Sequence, residues 1–333
     1  MKYEYFTEDL KEKLSVFVKE HLDDGTVVIR NVMKNNGVRM KAVSIIRKEE
    51  KATPSIYLGQ YYQEYRNGRS MDSICKEIFG IYLESMETFR KRINIEQLGD
   101  FETVKDKIYY RLINYEMNRT MLDDVPHFCF LDLAIVFYLC LDCDEEGITS
   151  VLIHNFNLET WEKTPEEIRE FALKNTWEKY PVWIRDIEEV VSEMIMRDLR
   201  STIHRDNPGV VEEESFYGNY NVSDVKRVIQ EEVRDLKAEK DMKMYVMSNQ
   251  IRLNGAACIT YPGVLRDFAR EHNSNLCIIP SSVHEVILIV GTEWDLEWLN
   301  KMVRQVNKED LEPIDILSDH IYIYDREKEE IVY

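Results

Sequence analysis

The sequence predicts an α+β protein with an N-terminal mixed α/β region, an amphipathic helical connector and a small C-terminal α+β domain with a mixed sheet. Three observations lead to this prediction. The chain has 333 residues, of which 44% are hydrophobic, enough to build more than one packed core. Short runs rich in β-branched and aromatic residues alternate with segments whose apolar residues recur every three or four positions. No internal repeat or low-complexity tract interrupts this alternation.

The N-terminal domain is predicted to span residues 1–180 and to begin with a helix over 7–22. Leu10, Leu14 and Val18 lie on one face of that helix, and Thr7 is its predicted N-cap. The turn at 34–37 contains an Asn-Gly pair, which readily takes the positive φ angles of a tight hairpin. The other elements predicted here are strands over 27–33, 38–46, 54–58, 128–141 and 150–155, helices over 61–65, 70–85 and 165–175, and a segment, 101–114, left open between helix and strand.

Residues 181–242 are interpreted as an acidic helical connector. An apolar stripe at helical spacing begins with Ile184, Ile187 and Val191. A break rich in Pro, Gly and Asn follows at 207–221, and Ser223 is the predicted cap of a second amphipathic helix.

The C-terminal domain is predicted to span residues 243–333. Its strands and helices alternate, as in a small α+β domain. The predicted strands cover 244–247, 254–260, 276–279, 283–290 and 320–324, and the predicted helices cover 263–272 and 294–306.

The charge balance limits the classes of partner. The chain carries 62 acidic and 43 basic side chains, for a net charge of −19. This balance repels phosphate groups, so we expect no direct binding to nucleic acid and no docking on anionic membranes. It fits a protein whose surface meets a basic partner.

The sequence also predicts a reduced, cytoplasmic setting. The six cysteines lie in apolar contexts and lack the density of a secreted disulfide scaffold. The charged N-terminus shows no signal-peptide pattern. The most apolar run, 128–143, is shorter than the roughly 20 residues that span a bilayer.

A polar cluster at 281–285 is the first candidate for chemistry. His284 as base, Ser282 as nucleophile and Asp319 as acid would form a hydrolase-like site. On a strand, however, Ser282 and His284 would lie about 6.5–7 Å apart, too far for a direct hydrogen bond. The alternative is that the hydroxyls of this segment satisfy backbone groups at a turn.

Other polar or reactive groups are weaker candidates. The small residues after Asn254 allow close approach of a backbone, and Cys258 behind them is a possible nucleophile. The pair Cys140 and Cys143, with upstream Cys129 and His127, has the side chains of a zinc or redox site, but these cysteines lie in a strand-like run, so we expect no metal.

One acidic residue stands out within an apolar run. Asp132 needs a partner if it is buried, and His127 and Arg111 are the candidates considered. A structural ion pair is the default interpretation, and a functional acid is the alternative.

Known cofactor and catalytic signatures are missing. The sequence contains no G-x-G-x-x-G, no P-loop, no H-E-x-x-H and no G-x-S-x-G. We therefore expect no cofactor.

Several strings together resemble a known family. They are Asn35–Gly37, Pro54–Leu58, Val125–His127, Phe130–Phe137, Leu152–Asn155, Asn254–Ala257, Pro280–Glu285 and Ser318–His320. Over nearly its whole length the chain is similar to the bacterial domain-of-unknown-function family fifty-six eighty-eight of anaerobic gut bacteria. Its C-terminal part is more distantly similar to YtpQ-like uncharacterised proteins. The resemblance implies an intracellular bacterial protein and highlights the polar positions Asn254, Ser281, Ser282, His284, Glu285, Asp319 and His320.

These observations leave three functional hypotheses. We expect a binding or regulatory protein that acts through a protein partner. The first alternative is a hydrolase-like enzyme in which His284, Ser282 and Asp319 are catalytic. The second is a small-molecule sensor, with Asn254, Ser282 and His284 lining a cleft between the domains. The candidate binding residues are Asn254, Ser281, Glu285 and His320.

Overall fold

The structure has the predicted α+β class, with helices and antiparallel sheets along the chain. It is a computed structural model that describes residues 2–48, 50, 53–92, 98–144, 147–194, 196 and 243–333. The chain divides into two compact units. The first unit comprises Met1–Phe128 and Ile135–Asn175, and the second comprises Cys129–Ala134 and Thr176–Tyr333.

The predicted hairpin near the N-terminus is confirmed. Helix α1 covers Tyr3–His21, and strands β1 (Thr26–Met33) and β2 (Arg39–Ile46) pair antiparallel. Thr7 lies inside α1 and bonds back to the Glu4 carbonyl, so the prediction that it caps the helix was wrong. Strand β3 (Ile56–Tyr57) adds to β2 and completes a three-stranded sheet.

The turn between β1 and β2 has the predicted positive φ angles. Asn36 has φ of 59° and Gly37 has φ of 68°. Asn118 stabilises this turn through a pair of 2.8 Å hydrogen bonds, in which it accepts from the Asn36 backbone N–H and donates to the Asn36 side chain.

The main core of the first unit lies between this hairpin and the helices around it. Helices α2 (Gly59–Arg66) and α3 (Met71–Arg92) complete the layer with α1. Apolar side chains recur every three or four residues on α1 and α3, so one stripe of each helix is buried. The buried members from these helices include Phe6, Leu10, Leu14, Val18, Ile74, Ile78 and Tyr82.

A second sheet contains the long apolar run. The segment left open at 101–114 divides into a short helix α4 (Phe101–Val104) and strand β4 (Ile108–Asn114). A short helix α5 (Arg119–Leu122) follows. The predicted single strand over 128–141 was wrong: the chain forms β5 (His127–Phe130) and β6 (Leu133–Asp144), joined at Leu131 and Asp132. Leu131 turns the chain with φ of 57°, a conformation that leucine rarely adopts.

The remaining elements of this region agree with the sequence predictions only in part: the strand predicted over 150–155 lies at 147–152, the helix over 165–175 is confirmed, and the helix over 155–161 was not predicted. Strand β7 (Gly147–Leu152) pairs with β6, and the order of the sheet is β4-β6-β5 with β7 beside β6. Helices α6 (Asn155–Trp161) and α7 (Pro165–Lys179) follow. The side chains of Thr164 and Glu167 each accept a hydrogen bond from the backbone N–H of the other residue at the start of α7, as in a capping box.

The second unit is built on a six-stranded sheet. The order is β13-β12-β10-β11-β9-β8, and every described neighbouring pair is antiparallel, so the prediction of a mixed sheet was wrong. The strands are β8 (Val182–Asp186), β9 (Lys243–Asn249), β10 (Asn275–Ile279), β11 (Val286–Gly291), β12 (Tyr322–Asp325) and β13 (Glu330–Val332). The helices are α8 (Val264–Glu271) and α9 (Leu296–Glu309), with a 3-10 helix at Gly255–Thr260.

Three local predictions in this unit need correction. Val182–Asp186 is a strand where a helical stripe was predicted, although residues 187–194 are helical. Gly255–Thr260 is a 3-10 helix and not a strand. The predicted strand over 283–290 begins only at Val286, so 280–285 is the loop of the β10–β11 hairpin. The predicted break at 207–221 and the helix after Ser223 lie outside the described residues.

One face of this sheet packs on α9. The buried residues of that core include Cys277, Ile279, Ile289, Leu299, Val303 and Ile321. Leu299 and Val303 are four residues apart and so lie on the same face of α9. In the described part of the chain, none of the helices is long and apolar enough to cross a membrane.

Candidate functional site

The loop between β10 and β11 carries the polar residues that the sequence singled out. Its backbone is held in place from two sides. Val283 donates its N–H to the Asp315 carbonyl at 2.8 Å, and its own carbonyl accepts from Ala256 N–H at 3.3 Å. The loop is therefore positioned by the 3-10 helix on one side and by the segment after α9 on the other.

His284 lies at the centre of this arrangement. Its Nδ1 accepts a hydrogen bond from the backbone N–H of Asn254 at 3.1 Å. Its Nε2 lies 3.4 Å from Oδ1 of Asp315. Because Nδ1 accepts, the proton of a neutral ring belongs on Nε2, the nitrogen that lies near the Asp315 carboxylate. We call Asn254, Ser282, His284 and Asp315 the His284 cluster.

A glycine makes the close packing behind this cluster possible. Asn254 takes a left-handed conformation with φ of 55°, which presents its N–H to the imidazole. A Cβ on Gly255 would lie 2.5 Å from the His284 carbonyl oxygen and 2.8 Å from the Asn249 nitrogen. That carbonyl already accepts a 2.8 Å hydrogen bond from Ser248. The absence of a side chain at Gly255 thus allows the backbone after Asn254 to lie close to the backbones of His284 and Asn249, as the small residues there predicted.

In the described residues, neither the proposed nucleophile, Ser282, nor the proposed acid, Asp319, forms a hydrogen bond with the His284 ring. The Ser282 hydroxyl accepts from the backbone N–H of His284 at 3.0 Å and is 8% exposed. Asp319 accepts a 2.8 Å hydrogen bond from Asn307. Ser281 and Glu285 flank the loop and are half-buried. The structure thus brings Asn254, Ser282 and His284 together, and the acid beside the imidazole is Asp315.

Cys258 offers no activated thiolate at this cluster. Cys258 is fully buried in the 3-10 helix, and burial raises the pKa of its thiol to about 12. A thiol with so high a pKa is a poor nucleophile near neutral pH.

A second polar cluster surrounds Asp132. Its Oδ1 accepts from the Tyr322 hydroxyl at 2.6 Å, and its Oδ2 accepts from Ser318 at 2.8 Å. His320 Nε2 lies 3.2 Å from the same Oδ2. These are its partners, in place of His127 and Arg111, and His127 instead bonds the Val125 carbonyl. We call Asp132, Ser318, His320 and Tyr322 the Asp132 cluster.

The Asp132 cluster is more enclosed than the His284 cluster. Ser318 and Tyr322 are completely buried. Burial, reinforced by the nearby Asp132 carboxylate, raises the pKa of Tyr322 far above its ordinary value, so its hydroxyl stays protonated and donates. His320 Nδ1 faces the Ile321 carbonyl at 3.1 Å, and the ring stacks on Tyr333.

Sequence reasoning missed Asp315 and Tyr322. Nothing in the local pattern around Asp315 distinguishes it from the neighbouring exposed acids, because its role depends on the loop that it meets. Tyr322 carried a weak signal, since it follows Ser318 and His320 at alternate positions. Within the described residues, no three His, Cys, Asp or Glu side chains come together as a metal site.

Comparisons with known proteins add one finding. A family model, described as a family of unknown function (DUF5688), matches residues 3–326. No curated protein and no solved structure matches the chain.

Proposed function

The chain belongs to the DUF5688 family of unknown function, and from this premise we propose that it is a binding protein whose second unit recognises a basic protein partner at the His284 cluster. Such a protein would regulate or support its partner, and we assign no reaction to it. It also retains the expectation of a bacterial, cytoplasmic protein.

One observation carries the proposal: the Asp315 carboxylate is held against a neutral imidazole. Its recorded side-chain contact is with His284, and that ring, with Nδ1 accepting, carries no charge. The negative charge of Asp315 is therefore not neutralised within the cluster. The side chains of His284 and Asp315 are 35% and 30% exposed, so a partner can reach both.

The surrounding charge supports a basic partner. Asp310 and Glu312 lie just before Asp315 and are exposed. In the described part of the chain, neither forms an ion pair with a lysine or arginine. Together these carboxylates provide a negative surface that complements lysine or arginine on a partner, and such complementarity governs orientation and association rate.

The same geometry gives less support to the hydrolase-like alternative. In the described residues, the hydroxyl of Ser282 accepts from a backbone N–H, Nδ1 of His284 accepts from the backbone of Asn254, and Nε2 faces Asp315. A serine or cysteine nucleophile needs a base within hydrogen-bond reach, and His284 is not held in that role.

The test is affinity capture from extract of the cells that naturally produce the protein. Wild type, His284→Ala and Asp315→Asn are immobilised in parallel. His154→Ala is the matched control. Like His284, His154 lies close to an aspartate, Asp124 at 2.8 Å, and its side chain is about one-third exposed (34%), but it belongs to the first unit.

We expect a basic protein to be retained by wild type and by His154→Ala and to be released by moderate salt. Asp315→Asn should lose most of it, since the uncompensated charge is removed while the shape is kept. Equal capture by wild type and Asp315→Asn would contradict the proposal.

A further inference from the structure

Arg111 is a cation in an unusual position in the first unit. It lies at the centre of β4, where six of the seven residues are buried. Arg111 itself is half-buried, and its Nε is enclosed without a hydrogen-bond partner. In native proteins, buried polar groups nearly always have a partner, and enclosed charges are paired.

In the part of the chain that the structure describes, no acid lies against this guanidinium. Among the described residues, Arg111 forms no recorded hydrogen bond or ion pair. Its pKa is lowered by burial, and the only group that opposes this shift is the Tyr138 phenol. Arginine nonetheless stays charged in proteins, so the charge is present and is not compensated by any of the described residues.

Aromatic rings lie beside it on the same face of the sheet. Tyr109 and Arg111 are alternate residues of β4 and therefore share a face. The Tyr109 ring contacts that of Tyr138 on β6, with centroids 5.9 Å apart. In the described sheet β4 is an edge strand, so one side of Arg111 has no neighbouring strand.

We propose that Arg111, with Tyr109 and Tyr138, forms a binding site for a small oxyanion, a carboxylate or a phosphate. The guanidinium supplies a planar set of N–H donors that matches two oxygens of such a group. The rings supply apolar walls that exclude water and strengthen the attraction. The partial exposure of Arg111 gives the anion a route to the site.

This site is independent of the proposed partner surface. It lies in the first unit, whereas the His284 cluster lies in the second. Failure of one proposal therefore leaves the other untouched.

The test is calorimetric titration of the full chain with inorganic phosphate and, separately, with succinate, at constant ionic strength set by sodium chloride. The variants are Arg111→Met, which removes the charge at similar length, and Arg111→Lys, which keeps the charge but not the planar fork. Arg119→Met is the control, because Arg119 is exposed in the same unit and pairs with Glu116.

We expect wild type and Arg119→Met to bind one of the two anions, and the better of the two identifies the ligand chemistry. Arg111→Met should weaken that binding by about ten- to a hundredfold, the loss expected when charged hydrogen bonds are removed. Arg111→Lys should lie between them. If all four proteins respond alike, or if wild type binds neither anion, the proposal is overturned.

A second measurement covers the case in which Arg111→Met fails to fold. Phenylglyoxal modifies accessible arginines, and mass spectrometry locates the adducts on the wild-type chain. Phosphate or succinate should slow modification of Arg111 and leave Arg119 unchanged. Modification of Arg111 at the same rate with and without anions would overturn the site.

Discussion

Two histidines of the second unit each lie against an aspartate, but their other ring nitrogens meet opposite kinds of backbone group. His284 and His320 each place Nε2 near an aspartate, at 3.4 Å and 3.2 Å. At His284 the other nitrogen meets a backbone N–H, so the neutral ring satisfies both contacts. At His320 the other nitrogen, Nδ1, meets the Ile321 carbonyl, which can accept a hydrogen bond only from a protonated Nδ1. The backbone group therefore decides whether Nδ1 of each ring carries a proton.

Burial separates the roles of the two clusters. The Asp132 cluster includes two fully buried hydroxyls that depend on one carboxylate, whereas the imidazole and the carboxylate of the His284 cluster are both about one-third exposed. Buried polar groups without a partner are costly, and exposed ion pairs contribute little. We therefore expect the first cluster to stabilise the fold and the second to be free for binding.

The largest effect is expected for Asp132→Ala. This change removes the carboxylate to which the buried hydroxyls of Ser318 and Tyr322 both donate, and we expect a loss of about 3 kcal/mol or more in the free energy of unfolding. Asp315→Ala should cost about 1 kcal/mol or less, because that pair is partly exposed. Urea denaturation measures both. Equal losses would show that the clusters do not differ as proposed.

Gly255→Ala should disturb only the His284 cluster. The added methyl meets the His284 carbonyl and the Asn249 backbone nitrogen, so we expect a loss of about 2 kcal/mol in stability and a shifted His284 imidazole resonance. Gly80→Ala is the control, since a Cβ there meets nothing within 4 Å and alanine favours a helix. An unchanged His284 resonance in Gly255→Ala would contradict the close packing described here.

Tyr322→Phe tests the Asp132 cluster with a smaller change. It removes the hydroxyl that donates to Asp132 and keeps the ring, so we expect a loss of about 1–2 kcal/mol by urea denaturation. Tyr333→Phe should have little effect, because Tyr333 is 69% exposed. If Tyr322→Phe were as stable as wild type, the Asp132 carboxylate would not depend on this donor.

The smallest effect is expected for iodoacetamide treatment of the native protein, which should not alkylate the buried thiols of Cys258 and Cys277. Burial raises the pKa of Cys258 and of Cys277 to about 12, so the reactive thiolate is scarce at pH 8 and increases only toward strongly alkaline pH. Cys129 is exposed and should be alkylated. Peptide mapping after alkylation reports each site, and rapid labelling of Cys258 would restore it as a candidate nucleophile.

Local sequence signals predicted the elements whose turns follow ordinary chemistry. The β1–β2 hairpin was predictable because Asn36 and Gly37 accept positive φ angles at little cost. The turn between β5 and β6 was not, because Leu131 occupies the left-handed region within a continuous apolar run. That run therefore looked like one strand, and Asp132 looked buried in it.

The candidate site was predictable only in part, for a similar reason. Asn254, Ser282 and His284 could be singled out because they are polar residues beside apolar strands. Their grouping depends on the β10–β11 hairpin and on the segment that carries Asp315, and these contacts join residues about 30 positions apart. Hydrophobic periodicity contains no information on which loops meet.

The short stretch Cys129–Ala134 belongs to the second unit although the first unit surrounds it in the chain. A fragment that starts at Thr176 would omit Asp132 and leave the Ser318 and Tyr322 hydroxyls without their acceptor. Neither unit is encoded by one continuous stretch, so neither can be moved between genes by a single recombination event as an intact module. For separate expression, the chain should accordingly be divided by spatial unit and not at the linker that its sequence suggests. The second unit then needs the stretch Cys129–Ala134 supplied with it.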